Sequence, residues 1–180
     1  MPDVECSQTG PRGVAFLLAQ IGAQGAAKFA ERLEVLRLSP PQAGIIGLIG
    51  RRSGLSQQEL ANQLGIFPSR LVSILDQLER SGLIERRANA SDRRTYSLHL
   101  TASGKKTLQA IERIAREHDE ALCAALNENE RETLARLLSR IAEEQQLKPG
   151  VHPGYRRLGR GEEEMKKPIV KKQPIPNGDP

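Results

Sequence analysis

Cysteine, aromatic residues and long apolar runs are scarce in this 180-residue chain, and each scarcity removes a class of protein. There are two cysteines, Cys6 and Cys123, and no tryptophan. Two thiols cannot build a disulfide framework, and without a C-x-x-C partner neither suggests zinc, so they point to a reducing, cytoplasmic setting. The aromatic residues Phe16, Phe29, Phe67, Tyr96 and Tyr155 are too few for the stacking platforms that bind single strands. No run approaches the roughly 20 apolar residues of a membrane helix, so no membrane partner is expected. Met1–Arg12 lacks the basic-then-apolar order of a secretory leader. His99, His118 and His152 are scattered, and no pair has metal-ligand spacing. Neither a nucleophile elbow, a P-loop nor a dinucleotide loop is present. The sequence therefore predicts no catalytic residues, no metal, no cofactor and no enzyme.

What the chain does have is charge, unevenly placed. Its formal net charge is +5. Residues 1–50 are neutral, 51–106 carry +5, 107–147 carry −4 and 148–180 carry +4. A basic block and a basic tail thus flank an acidic, helix-rich stretch. Such polarity suits a polyanionic partner at one end of the molecule.

Periodicity is mainly helical. Val14, Leu17, Leu18, Ile21, Phe29, Leu33 and Leu36 recur at about 3.6 residues, which predicts a long helix over 11–37. Gly22 and Gly25 weaken its middle or admit a close neighbour. Ser39-Pro40 opens a second helix, with serine as cap and proline pre-setting φ. Ser56-Gln57-Gln58-Glu59 is a capping box for a short helix ending at Gly65. Pro68 begins another, burying Leu71, Ile74, Leu75 and Leu78 and turning Ser69, Arg70, Ser73 and Gln77 outward. After Gly82 the period falls to two. Leu83–Arg87 and Thr95–Leu100 read as strands joined by Ala88–Arg94. Thr101 caps a long helix, and Asn127 with Glu130 opens a last one.

From Lys148 the pattern stops. This stretch holds 6 of 11 prolines and 5 of 16 glycines, and 148–180 is expected to be a disordered, basic, Pro/Gly-rich tail. Residues 1–10 are expected to be flexible. The fold class is mainly α with a small β-hairpin.

Helices Gln57–Leu64 and Pro68–Ser81 form a helix-turn-helix, whose second helix enters the major groove. The hairpin that follows is a wing, and its tip Ser91-Asp92-Arg93-Arg94 projects two guanidinium groups suited to phosphates and narrow minor grooves. The adjacency of the two, inside the basic block, predicts binding to double-stranded DNA. Arg70 is the one long base-reading candidate on the helix.

Four segments carry a resemblance. They are Leu38–Gln42, Leu55–Ala61, Leu75–Arg86, and Asp92-Arg93-Arg94 followed by Leu98-His99-Leu100-Thr101. In order and spacing they resemble the MarR family of bacterial transcriptional regulators over about residues 12–145. The resemblance implies a winged helix-turn-helix lobe at about 39–101 within a domain spanning 11–147, completed by N- and C-terminal dimerisation helices. It also implies a homodimeric repressor on a pseudo-palindromic operator, released by a small ligand or by cysteine oxidation. Carried onto this sequence, Ser69, Arg70, Ser73, Gln77, Arg93 and Arg94 contact DNA, and Asp92 braces the wing. Phe67 stands where the family often has a polar cap, and Ser73 where an arginine is common.

An apolar or aromatic-acid effector would sit between the dimer helices and the DNA-binding lobe; sequence assigns no residues to it. Two alternatives remain at this point. One is redox sensing through Cys6 or Cys123, although the first helix lacks the cysteine and tyrosine of the peroxide-sensing branch. The other is a protein-interaction module that does not bind DNA.

Overall fold

The computed structural model describes residues 13–88 and 96–151 together with Tyr155. Ten elements follow the predicted order with one addition. They are α1 (Val14–Leu33) with a 3-10 turn at Glu34–Leu36, α2 (Pro40–Arg51), β1 (Leu55–Ser56), α3 (Gln57–Leu64) and α4 (Pro68–Arg80). Then come β2 (Ile84–Ala88), β3 (Tyr96–Leu100), α5 (Ala102–Leu122) and α6 (Glu128–Glu144). The expected helix over 11–37 stops at Leu33 because the chain tightens into the 3-10 turn and Arg37 adopts φ 53°.

The added element is β1. Leu55 and Ser56 pair antiparallel with Leu98 and Ser97, making a three-stranded sheet of order β1-β3-β2. Two residues leave no readable period, and their partner lies some forty residues away in sequence, so nothing local announces them. The hairpin pairs Ile84 with Leu100 through to Ala88 with Tyr96.

Local chemistry sets the helix starts. Capping boxes close at Ser39 with Gln42, Ser56 with Glu59, and Asn127 with Glu130. At Ser56 the backbone N–H donates to Glu59 Oε2 at 2.8 Å, while Glu59 N–H donates back to Ser56 Oγ at 3.2 Å. The Ser56 backbone bond and then its side-chain bond hold the Glu59 carboxyl below its ordinary pKa. Gly65 closes α3 at φ 67°, a left-handed turn that an L side chain resists.

One core joins both halves. Leu33 of α1, Ile45, Ile46 and Ile49 of α2, and Leu60 of α3 are fully buried. So are Leu71, Leu75 and Leu78 of α4, with Ile84 and Leu98 of the sheet. Full burial of each such side chain contributes roughly 1.5–3 kcal/mol. α5 is the strut between lobes. Its Ile111 and Ile114 enter this core, and Gly104 lies where a Cβ would overlap the Leu83 carbonyl. α1 packs on α5 beside Gly25, where a Cβ would stand 3.4 Å from Leu122, an ordinary contact.

Part of the stretch expected to be an uncommitted tail belongs to the fold. Lys148 Nζ donates to the Asn62 carbonyl at 3.0 Å, Val151 is half-buried against the core, and Tyr155 is 1% exposed. The composition from Lys148 onward concealed this, because one aromatic ring among prolines and glycines carries no period. Residues 1–10 and 156–180 lie outside the described residues.

Candidate nucleic-acid interface

Exposed polar residues on α4 define the candidate surface. Ser69, Ser73 and Gln77 are exposed and Arg70 is half-buried, on the face opposite Leu71, Leu75 and Leu78. The spacing of 69, 70, 73 and 77 puts them within one arc of the helix. Ser73 Oγ donates to the Arg70 carbonyl at 3.0 Å. Gln77 is tied to α2, its Oε1 accepting from Gln42 Nε2 at 3.2 Å. Asp92, Arg93 and Arg94, the expected wing residues, lie outside the described residues.

The wing's base is described, and it is fastened to α4. Arg86 of β2 donates from Nη2 to Asp76 Oδ1 at 2.6 Å and from Nη1 to Glu79 Oε2, while its backbone N–H donates to Glu79 Oε1 at 3.2 Å. Burial is the largest influence on this guanidinium and works against its charge. The bond to Asp76 and the attraction of Glu79 outweigh it and raise its pKa further. A cation so paired offers little to a phosphate. Its effect is to set the hairpin's angle against the helix. Sequence reasoning placed Arg86 within a motif and missed this bridge, since nothing in the spacing shows that Asp76, Glu79 and Arg86 converge. Arg87, next along β2, pairs with Glu85 at 2.5 Å.

Phe67, singled out in the sequence as a departure from the usual polar cap, stands beside the polar face of α4. It occupies the N-cap of α4, makes no side-chain cap, and is 66% exposed at the end of the helix that would meet base edges.

The sharp turn at Gly65, the amphipathic α4 and the hairpin pinned to it by Arg86 together make a winged helix-turn-helix. A sequence profile of the MarR family matches residues 38–95. In solved structures, the transcriptional repressor CouR bound to a 23-mer DNA duplex is similar at TM-score 0.65 and 30% identity, covering 72% of this chain and 92% of that one. The chain belongs to the MarR family. A Thauera aromatica protein named for transcriptional regulation of the hcr operon is 38% identical over 104 residues, which is 58% of this chain and 63% of that protein. An HTH-type transcriptional repressor of Mycobacterium bovis is 27% identical, covering 71% of this chain and 92% of its own. This MarR-family chain is a DNA-binding transcriptional regulator and not an enzyme.

The remaining candidates fall in place around that result. Cys123 is the C-cap residue of α5, just beyond the last helical position, and is half-buried; Cys6 lies outside the described residues. The His118 ring lies tilted against Phe29, with centroids 5.3 Å apart, and burial, then Arg32, lowers its pKa. Among the described residues no three His, Cys, Asp or Glu gather as a metal site, and no helix is long and apolar enough to cross a membrane.

Proposed function

We propose that the protein is a homodimeric repressor that reads a pseudo-palindromic operator and leaves it when a small apolar or aromatic-acid effector binds. The observation that carries this reading is the Arg86 bridge, which holds a wing beside a recognition helix with an exposed polar face. In this reading Arg70 reads a base edge, with guanine O6 and N7 as its best match. Ser69, Ser73 and Gln77 line the groove, Arg93 and Arg94 grip backbone or minor groove from the wing, and Asp92 braces it. The exposed ring of Phe67 suits the methyl group of a thymine.

Pairing of two copies is supported by apolar surface that the single chain leaves open. Val14, Phe16, Leu17 and Ile21 of α1, and Leu134, Leu137, Leu138 and Ile141 of α6, are all exposed, and α6 buries no residue. Two long stripes of this kind are costly in water and are covered at once by a twofold partner. The effector reading is supported by a crevice of about 430 Å³ between α1, α2 and α5. Phe29, Ala43, Gly47, Leu108 and Ile111 make it largely apolar, and its lining carries one charge of each sign, Arg51, which suits a carboxylate, and Glu112, which suits a donor.

Footprinting of the full chain on the intergenic DNA upstream of its own gene tests the proposal. Protection of two half-sites about 10 base pairs apart is expected. Binding only at low salt and without sequence preference would favour the protein-interaction reading instead.

A further inference from the structure

Gln77 is exposed on the outward arc of α4, yet its amide is not free to turn over. Gln42, half-buried in the first turn of α2, donates from Nε2 to Gln77 Oε1 at 3.2 Å. Which end of the Gln42 amide faces α4 is decided at the cap of α2. The Ser39 backbone N–H, which can only donate, lies 2.9 Å from Gln42 Oε1. The Ser39 hydroxyl accepts from the Gln42 backbone N–H and donates its own proton to the same Oε1 at 3.0 Å. Two donors converge on that oxygen, so Nε2 is the end left to face Gln77.

The consequence passes along the pair. Turning Gln42 over would set its NH2 against the Ser39 N–H, donor against donor. Turning Gln77 over would set its NH2 against that of Gln42, with the same result. With its Oε1 drawn toward α2, Gln77 offers its Nε2 end outward. The two-bond grip of glutamine on adenine needs both ends on one base edge, with Oε1 on N6 and Nε2 on N7. Held by Gln42, Gln77 keeps only donors for a groove. Those suit the oxygens of keto bases, guanine O6 and thymine O4. They meet the amino groups of adenine and cytosine donor to donor.

We propose that Gln42 is a positioning residue for base recognition: it holds the Gln77 amide with its donors outward, so that α4 selects a keto base at one position of each half-site. This rests on the reading of α4 as the helix that meets base edges. Gln42 acts only through Gln77, and the capping box of α2 is what carries the orientation across to α4. One hydrogen bond gained by the keto base and lost by the amino base is worth about tenfold in affinity.

Gln42→Glu is the decisive variant, because a carboxylate serves the cap as well as an amide does. Ser56 and Glu59 of this chain make that same box. Glutamate lacks the donor, so Gln77 should turn its NH2 toward residue 42 and its Oε1 toward the groove. Full-length protein is titrated with the footprinted operator and with every single transition variant, each of which exchanges a keto for an amino base. At one position per half-site the wild type should prefer the keto base about tenfold, Gln42→Glu the amino base, and Gln77→Ala neither. The added negative charge weakens all sequences alike and cancels in the ratio. A keto preference unchanged in Gln42→Glu, or a Gln77→Ala protein that discriminates as the wild type does, would overturn the proposal. A second readout uses no DNA: side-chain amide ¹H–¹⁵N spectra of the free proteins. The Gln77 NH2 signal, identified by its loss in Gln77→Ala, should exchange with solvent about tenfold more slowly in Gln42→Glu than in wild type. An equal rate would overturn the amide orientation itself. A slowed rate in protein that binds no operator would support that orientation and sink the reading of α4 instead.

Discussion

Arg86 shows how one residue can shape an interface it does not touch. Its guanidinium is spent on Asp76 and Glu79, so part of the basic block's charge is internal to the fold. Replacing it by methionine keeps the apolar stem and removes the bridge. Both carboxylates are partly open to water, so the loss of stability should be modest, about 1 kcal/mol. DNA affinity should fall further, roughly tenfold, because the wing loses its fixed angle to α4. Circular dichroism and an anisotropy titration measure the two effects separately; equal small losses in both would mean the bridge is merely structural. Arg70 shares the same helix but is the long side chain on its outward arc, and its position was legible from spacing alone.

Among the elements, the helix starts and the dimer helices carry the sharpest expectations. Glu59 has its carboxyl pKa lowered in the folded chain by Ser56, so its charged form stabilises α3. That contribution is full above the unfolded value of 4.5 and is lost as pH falls through the lower folded value. Denaturation midpoints of the wild type and Glu59→Gln should therefore differ at pH 7 and converge under acid; a gap that persists would contradict the capping account. In α6, Leu138→Glu with Ile141→Glu puts charge on an apolar face that the single chain leaves open. Sedimentation should shift from twice 19.8 kDa to that mass, with helix content retained. The capping boxes at Ser56 and Asn127 and the inward leucines of α4 were readable because they are local patterns. Leu55–Ser56, the Arg86 bridge and the burial of Tyr155 were not, because each depends on partners far away in sequence.

Over the whole molecule, the net +5 divides into a basic DNA-reading block, an acidic helical stretch and a basic terminal segment. In the proposed complex this keeps like charge away from the phosphates and concentrates cations where they meet them. A dimer doubles each contact, so loss of one wing arginine removes two from the complex. The central claim is that α4 reads base edges while the wing holds the backbone. A fluorescence-anisotropy titration across salt concentrations tests it most directly, with wild type, Arg70→Ala and Arg94→Ala on the footprinted operator and on unrelated DNA. Arg70→Ala should weaken operator binding by about 1–3 kcal/mol per half-site and leave unrelated DNA nearly unaffected. Arg94→Ala should weaken both and flatten the plot of log K against log salt by about 2. Equal affinity of all three proteins for the operator would contradict the account.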